Sequence, residues 1–268
     1  MNNILIARET LKIMENRSYL CNEAEISLAD MEFKKVVVIS PEEGKKLLEQ
    51  EFSNCKNDRM CNFEVINSDS FQAARRYQYP LVMNFANAHC PGGGFLMGAT
   101  AQEEALCRCS TLYASISSKE ASEMYLFNNT HISSVESDYM LLSPNVIVFR
   151  NEKCELLEQP FRTAVITIPA PNRHGAALLA SGKLIQETMQ RRIRIMLQAA
   201  IRGEYRNLIL GAWGCGAFGN DPRNVASYFK EILVGEGYGY YFETVCFAVY
   251  GREDGRNINE FREAFQNV

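Results

Sequence analysis

The sequence lacks the long apolar runs that mark membrane-spanning and secreted proteins. No stretch approaches the ~18 consecutive apolar residues that a membrane-spanning helix needs. The N-terminal segment carries Arg8, Glu9 and Lys12 where a signal peptide requires an unbroken apolar stretch. The sequence therefore predicts no membrane partner and a cytoplasmic protein.

An excess of basic residues is also missing. Lys and Arg number 28 against 32 Asp and Glu, which gives a formal net charge of −4 and a pI near 5.6. Proteins that bind duplex nucleic acid need a positively charged face that displaces counterions from the phosphates. The charge predicts no binding to duplex nucleic acid and leaves open a nucleotide held in one local pocket.

Histidines and paired cysteines are too few or too scattered to predict a metal site or a disulfide framework. The chain has three histidines and nine cysteines, an odd number in a protein too large to need covalent cross-links. Cys107 and Cys109 lie about 200° apart around a helix, so they cannot join His89 and Cys90 around one metal ion. A catalytic thiol at Cys90 has no identifiable base. We expect reduced thiols, no metal and no cofactor.

The residues that are present predict one α/β domain. Apolar residues make up 47% of the chain, in short runs rich in Val, Ile and Phe that alternate with amphipathic segments. Candidate strands cover residues 35–40, 62–67, 79–87, 145–151, 164–170, 206–213 and 244–250. Candidate helices cover residues 2–15, 41–52, 69–77, 101–117, 181–203, 223–235 and 256–266. Apolar strands between helices predict a sheet covered on both faces, in a three-layer α/β/α arrangement.

Such sheets bind ligands beyond the carboxyl ends of their strands. The first loop of this kind follows the strand at 79–87 and contains Gly92, Gly93 and Gly94. Three consecutive glycines carry a high entropic cost, and close approach of their backbone N–H groups to a phosphate is one reason to keep them. A tight turn is the alternative, and the loop by itself favours neither.

The helix after this loop begins with Gln102, Glu103 and Glu104. A local explanation exists for both acids, because Thr100 with Glu103 matches a capping box and Glu104 with Arg108 has the spacing of an ion pair. This explanation does not account for the glycines upstream. A chemical role for the carboxylates therefore stays open.

The loop at 214–219 reads GCGAFG, which has the spacing of a dinucleotide-binding motif. That motif requires an acid about 20 residues on, but position 239 is Gly. Asp221 and Pro222 instead have the pattern of a helix N-cap and first helical residue. Two glycine-rich loops beside helix N-termini nevertheless suit a diphosphate, and Trp213 is expected to be a packing residue.

The segment NFANAHCPGGGFLMGATAQEEALCRCSTLY resembles the signature of microbial-type poly(ADP-ribose) glycohydrolases, a branch of the macrodomain fold. The segments ARETL, INSDSFQAA, SPNVIVFR, ITIPAPN and LGAWGCGAFGNDP are similar to family blocks in the same order, so the resemblance spans nearly the whole chain. It implies a macrodomain-like α/β/α fold with a mixed central sheet. The single catalytic domain would comprise an N-terminal helical extension, about 1–34, and a core, about 35–268.

The resemblance also implies an activity, which is hydrolysis of ribose–ribose O-glycosidic bonds in poly(ADP-ribose) with release of ADP-ribose from chain ends. ADP-ribosylated proteins are further possible partners. Two alternatives stay open from the sequence: removal of single ADP-ribose units, and a module that binds ADP-ribose without cleaving it. The intact acid pair speaks against the second.

Roles for individual residues follow from the same resemblance. Glu104 would be the catalytic acid and base, Glu103 would hold the ribose hydroxyls, Asn87 would orient the ribose and Asp69 would reach the adenine. The remaining residues implied to bind substrate, chiefly around the diphosphate, are Gly92, Gly93, Gly94, Gln102, Gly214, Cys215, Gly216, Ala217 and Phe218. Because adjacent helical residues diverge by about 100°, we expect the two glutamates not to flank one anomeric carbon, so that Glu104 serves twice.

Overall fold

A computed structural model of the chain describes residues 2–29, 31–51 and 56–268. The α-helices in these ranges are Asn3–Asn16 (α1), Pro41–Leu48 (α2), Ser70–Ala74 (α3), Gln102–Cys109 (α4), Leu112–Ile116 (α5), Ser122–Thr130 (α6), Gly182–Arg202 (α7), Pro222–Lys230 (α8) and Arg256–Phe265 (α9). The strands are Ser18–Cys21 (β1), Ala24–Ser27 (β2), Val37–Ile39 (β3), Asn62–Ile66 (β4), Leu81–Ala86 (β5), Met140–Arg150 (β6), Leu156–Pro169 (β7), Asn207–Leu210 (β8) and Thr244–Ala248 (β9).

The central sheet is mixed, as the resemblance implied. Its seven strands run in the order β3-β6-β7-β5-β8-β9-β4. Strands β7, β5, β8, β9 and β4 are mutually parallel, whereas β6 and β3 are antiparallel to their neighbours. The parallel part is covered by helices on both faces, which is the usual condition for parallel strands.

Alternation along the strands separates two hydrophobic cores. On β5, Leu81 and Met83 face the core that contains α7, α8 and α9, while Val82 faces the core that contains α4, α5 and α6. On β7, Ile166 faces the first of these cores and Val165 faces the second. Because successive strand residues point to opposite faces, the run of apolar residues buries both sides of the sheet. The three-layer α/β/α prediction is confirmed.

The N-terminal segment packs against the helix that carries the paired acids. Helix α1 donates a hydrogen bond from Thr10 Oγ1 to the Arg108 carbonyl (2.8 Å) and one from Asn3 Nδ2 to the Gly98 carbonyl (3.2 Å). The β1–β2 hairpin follows α1 and was not among the predicted strands. Thus the predicted extension contains a helix and a hairpin. Its helix binds the chain at Gly98, before α4, and at Arg108, near the end of α4.

The predicted helix over 101–117 is wrong as one element, because Ser110 breaks it. Ser110 has extended backbone angles of φ −150° and ψ −179° and pairs with Val148 of β6. Its hydroxyl donates to the Leu106 carbonyl and accepts from Leu112 N, at 2.8 and 3.1 Å. A serine that satisfies the backbone at both sides of a break favours the interruption over a continuous helix.

Other boundaries also differ from the prediction. Helix α6 was not predicted, and β6 and β7 begin several residues before the predicted strands. Helix α2 ends at Leu48, and residue 52 of the predicted helix lies outside the described residues. Within the described ranges, no helix combines the length and the apolar content that crossing a membrane requires.

The packing of β9 against α8 and α9 gives a test of the larger core. Phe247 is fully buried, and its ring lies 5.4 Å from Phe229 and 5.1 Å from Phe261, measured between centroids. We expect Phe247→Ala to lower the free energy of unfolding by about 3–5 kcal/mol, because the aromatic contacts are lost and a cavity remains. Urea unfolding measures the change. The control Leu126→Ala, at a side chain that is 66% exposed, should shift the midpoint little, and equal losses would contradict the assigned core.

Candidate active site

A cleft of about 890 Å³ opens where the parallel strands end. Residues that follow all five of these strands line it: Asp69 after β4, Asn87 after β5, Ala170 after β7, Gly214 after β8 and Tyr250 after β9. The predicted site residues in its lining are Asp69, Asn87, Gln102, Glu103, Glu104, Gly214, Gly216, Ala217 and Phe218. Gly92, Gly93, Gly94 and Cys215 lie outside that lining. The cleft thus brings together most of the residues singled out from sequence.

Gln102 fixes the start of α4 against the sheet. Its Oε1 accepts from Phe85 N (2.9 Å), and its Nε2 donates to the Met83 carbonyl (2.8 Å) and to Ser70 Oγ (3.0 Å). The side chain therefore bonds to the backbone of β5 and to α3. Both its amide oxygen and its amide nitrogen bind other parts of the protein, which indicates that Gln102 positions α4.

Glu103 does not form the expected capping box with Thr100. The N-cap of α4 is Ala101, which makes no side-chain hydrogen bond there. Instead Glu103 turns toward β5, where Oε2 accepts from Asn87 N (2.8 Å) and Oε1 accepts from Asn84 Nδ2 (3.3 Å). Burial raises the pKa of Glu103 to about 8, the hydrogen bonds from Asn87 and Asn84 oppose that rise, and the charge of Glu104 adds to it.

Asn84 is a site residue that the sequence analysis missed. It is completely buried on β5, and its Nδ2 also donates to Thr167 Oγ1 (3.1 Å) on β7. Its Oδ1 has no hydrogen-bond partner among the described residues. An asparagine inside the apolar run LVMNFA was the available signal, because buried amides are rarely kept without a partner.

Glu104 differs from Glu103 in having one carboxylate oxygen free. Its Oε1 accepts from Gly94 N (2.9 Å), whereas Oε2 is buried and has no partner among the described residues. The expected ion pair with Arg108 is wrong, since Arg108 Nη1 instead donates to the Ala99 carbonyl (2.5 Å). Burial of a free carboxylate oxygen is unfavourable, which makes this oxygen a candidate reactive atom.

The three glycines make room for different neighbours, and Gly93 makes room for these carboxylates. A Cβ on Gly93 would lie 2.5 Å from Glu104 Oε1 and 3.2 Å from Glu103 Oε2, and the residue has φ +54°. Gly92, at φ +71°, faces the Tyr113 ring, and a Cβ on Gly94 would lie 2.7 Å from Ala99 Cβ. Although their helical positions diverge, the two side chains therefore approach one point. The N–H groups of Gly93 and Gly94 already bind Cys90 O and Glu104, which differs from the expected diphosphate contact.

The loop after β8 presents free backbone donors. Gly214 has φ +74°, and Asn220 Nδ2 donates to the Gly214 and Pro171 carbonyls at 3.2 and 2.9 Å, which holds the loop closed. Within the described part of the chain, the N–H groups of Gly216, Ala217 and Phe218 have no protein acceptor. Consecutive free N–H groups in a turn form a site for anions.

Asn87 and Asp69 each keep one polar group for the cleft. Asn87 Oδ1 accepts from His89 N (2.8 Å) and Cys90 N (3.0 Å), which leaves its Nδ2 without a partner among the described residues. Asp69 caps α3 through Oδ1, while its buried Oδ2 has no partner there. Burial raises the pKa of Asp69, against the hydrogen bonds from Gln72 and Phe71.

Two packing predictions are confirmed. Trp213 is fully buried, and its Nε1 donates to the Ile168 carbonyl (3.0 Å). Asp221 caps α8 through a hydrogen bond from Arg223 N (2.9 Å), with Pro222 as the first helical residue.

In the described residues, no group of three or more His, Cys, Asp or Glu side chains could hold a metal ion.

Comparisons with known proteins match the chain to one family. The family model for the microbial-type poly(ADP-ribose) glycohydrolase (PARG) catalytic domain matches residues 7–151. The crystal structure of the poly(ADP-ribose) glycohydrolase from Thermomonospora curvata is 36% identical, with a TM-score of 0.91 over 98% of this chain and 99% of that chain. A comparison with curated protein sequences finds no match.

Ligand-bound structures are similar over the same region. The Thermomonospora curvata glycohydrolase bound to the inhibitor ADP-HPD is 35% identical, with a TM-score of 0.87 and coverage of 98% and 99% of the two chains. The glycohydrolase from Deinococcus radiodurans in complex with ADP-ribose is 36% identical, with a TM-score of 0.79 over 87% of this chain and 95% of that one.

The space around Gly93 can be tested by adding one methyl group. We expect Gly93→Ala to lower the free energy of unfolding by about 1–3 kcal/mol, because it combines positive φ with a clash against both carboxylates. Gly216→Ala is the matched control, since its Cβ would meet no atom within 4 Å. Urea unfolding of both variants measures the difference. Equal losses would contradict the proposed contact between Gly93 and the acids.

The burial of Glu103 predicts a pH-dependent stability. Its pKa rises from 4.5 to about 8 on folding, so the folded protein keeps a proton that the unfolded chain releases between these values. The resulting stabilisation is complete below about pH 4.5 and is lost as the pH rises through about 8. We therefore expect Glu103→Gln to gain stability relative to the wild type between about pH 5.5 and about pH 8.5.

Urea unfolding at both pH values tests this expectation. The side chain of Glu120 is exposed on the surface, so Glu120→Gln should keep the wild-type pH dependence. If the difference between Glu103→Gln and the wild type is the same at both pH values, Glu103 does not retain a proton in the folded protein.

Proposed function

Because the chain belongs to the microbial-type poly(ADP-ribose) glycohydrolase family, we infer that it is a glycosidase that hydrolyses poly(ADP-ribose) and releases ADP-ribose. Its cleft is the binding site for ADP-ribose, which occupies the similar structure from Deinococcus radiodurans. The polymer is the substrate and ADP-ribose the product. ADP-ribosylated proteins are further proposed partners, and the cytoplasmic location stays a prediction from the sequence.

The order of strands along the sheet edge supports one orientation of the nucleotide. Strand β8 lies between β5 and β9, and β4 follows β9. The loop after β8 therefore lies between the acids beside β5 and Asp69 after β4. This order matches ribose, diphosphate and adenine, with the free N–H groups of Gly216, Ala217 and Phe218 at the diphosphate.

Each end of the nucleotide then meets a polar group that the protein leaves free. We assign Asn87 Nδ2 and Glu103 to the hydroxyls of the terminal ribose, and Asp69 Oδ2 to the amino group of the adenine. Phe218 is half-buried in the cleft wall, where its ring can pack on the terminal nucleotide. Cys215 belongs to the same loop as Phe218. Gly93 leaves space for the two carboxylates, Gly94 N binds Glu104, and Gln102 positions α4.

The free oxygen of Glu104 carries the assignment of the general acid and base. Glu104 Oε2 is buried and unpartnered among the described residues, whereas both oxygens of Glu103 accept hydrogen bonds from the protein. A group that transfers protons needs an oxygen within reach of the substrate and without a competing protein donor. Glu104 meets this condition, and Gly94 N holds its other oxygen in place.

The closeness of the carboxylates supports a mechanism with one acting glutamate. Glycosidases that use two carboxylates place them about 5 Å or more apart on opposite sides of the bond. Here both carboxylates approach the same point beside Gly93, so they lie on one side of any sugar. Glu104 would donate its proton to the leaving 2′-oxygen as the ribose gains oxocarbenium character, and then accept a proton from the attacking water.

Glu103 would help by staying neutral. Its raised pKa favours the protonated form near neutral pH, so Glu103 adds no negative charge beside the diphosphate. Its contacts with Asn87 N and Asn84 hold it close to the ribose without requiring a charge.

The role of Glu104 predicts the behaviour of a conservative variant. Glu104→Gln should reduce the release of ADP-ribose from poly(ADP-ribose) by about 10²–10⁴-fold, because the amide cannot transfer the proton. ADP-ribose binding, measured by calorimetry, should persist because the loop after β8 is unchanged. The exposed Glu120→Gln is the matched control and should keep wild-type release.

Two outcomes would contradict the proposal. Wild-type release by Glu104→Gln would exclude Glu104 as the acid. Binding of ADP-ribose by the wild type without release from the polymer would exclude the polymer as substrate, and proteins that carry one ADP-ribose unit would be assayed next.

A further inference from the structure

Part of the same cleft lies at the C-terminal end of α4, on the side of Asp69, which the proposed function assigns to the adenine. Arg108 and Cys109 at the end of α4 line it, together with Arg150 and Cys154 at the turn between β6 and β7. The proposed chemistry uses none of these four side chains. They combine two cations with two thiols in a small space.

The two cysteines converge on one carbonyl group. Cys109 Sγ lies 3.4 Å from the Asn151 oxygen, and Cys154 N donates to the same oxygen at 2.9 Å. The shared carbonyl therefore brings the Cys109 thiol next to the backbone of Cys154, and both cysteines line the same cleft. Cys154 has φ +61°, a left-handed conformation that few residues other than glycine adopt, and Arg150 Nη1 donates to its carbonyl (2.9 Å).

Two buried guanidinium groups lie near the cysteines, and an anion beside them would be stabilising. The Arg108 and Arg150 side chains are each only 4% exposed. Arg150 binds Glu9 (2.7 Å) but keeps a buried Nε without a partner, and no carboxylate in the described ranges forms an ion pair with Arg108. Buried guanidinium groups are costly without an anion, and a thiolate at Cys154 would supply one.

The two thiols differ in their readiness to ionise. The hydrogen bond from Cys109 and the nearby Arg108 and Arg150 lower the pKa of Cys154 to about 6, against the effect of burial. The shared hydrogen bond and burial raise the pKa of Cys109 well above its ordinary value. One cysteine is thus suited to attack an oxidant and the other to follow as a second thiol.

We propose that Cys109 and Cys154 form a redox-active pair, which a peroxide converts to a disulfide that links the end of α4 to the β6–β7 turn. The Cys154 thiolate attacks one peroxide oxygen, the O–O bond breaks, and hydroxide leaves and is protonated to water. The resulting sulfenic acid is attacked by the Cys109 sulfur, which loses its proton as the S–S bond forms and a second water leaves. The peroxide gains the two electrons that the two thiols lose.

The link would reach the helix that bears the proposed catalytic acid. Cys109 is the last residue of α4, and Gln102, Glu103 and Glu104 form its first turn. Oxidation also removes the thiolate beside Arg108, whose guanidinium binds the Ala99 carbonyl just before α4. The disulfide would therefore fix the C-terminal end of α4 through Cys109 and change the surroundings of the Arg108 contact before its N-terminal end.

Peptide mapping of the full-length protein tests the pair directly. The protein is treated with hydrogen peroxide, its free thiols are alkylated, and it is digested with trypsin without reduction. Trypsin places Cys109 in residues 109–119 and Cys154 in residues 154–162, each with a single cysteine. We expect these two peptides to appear as one linked species that reductant separates.

Two variants and a second measurement complete the test. Cys154→Ser should abolish the link, whereas Cys21→Ser, at a half-buried thiol bound to the Leu156 carbonyl, should retain it. Without peroxide, alkylation of Cys154 in the folded protein should increase around a midpoint near pH 6. Free alkylated Cys109 and Cys154 after peroxide treatment, or a link from Cys154 to another cysteine, would overturn the proposal.

Discussion

The contact of two glutamate side chains with Gly93 is the constraint on which the site depends. The carboxylates of Glu103 and Glu104 both reach the point where a side chain on this residue would begin, and the backbone there has positive φ. Residues with a Cβ are strained in that conformation and would also displace the acids. The glycine run thus acts first on the acids, and the free amides of the loop after β8 are the donors that the proposed function assigns to the diphosphate.

Three sets of hydrogen bonds fix the segment that carries Glu103 and Glu104. Gln102 bonds to the backbone of β5, Asn84 and Asn87 N bind Glu103, and α1 bonds to Gly98 and Arg108 at either side of the acids. Each of these partners comes from a different part of the chain. The position of Glu104 therefore depends on the folded sheet, which is why its surroundings cannot be read from the residues next to it in sequence.

The sequence was sufficient for the α/β/α architecture, because apolar strands between amphipathic helices have few other ways to bury both faces. Most of the residues that it singled out for the site also line the cleft. It failed where tertiary contacts outweigh local patterns, as at Ser110, whose pairing with Val148 divides the predicted helix. The same reason explains why the predicted local contacts do not form. Glu103 binds Asn87 N beside β5 instead of capping with Thr100, and Glu104 binds Gly94 N instead of pairing with Arg108.

Some of the unpaired buried polar atoms lie in or beside the cleft, and these atoms connect stability with function. Asp69 Oδ2, Asn84 Oδ1 and Glu104 Oε2 are all buried without a partner among the described residues, and each such group costs about 1–3 kcal/mol. A core selected for stability alone would fill or pair them. In the proposed function, the adenine amino group supplies the missing donor at Asp69, and the 2′-oxygen of the substrate accepts the proton of Glu104, so the cost is offset when substrate enters.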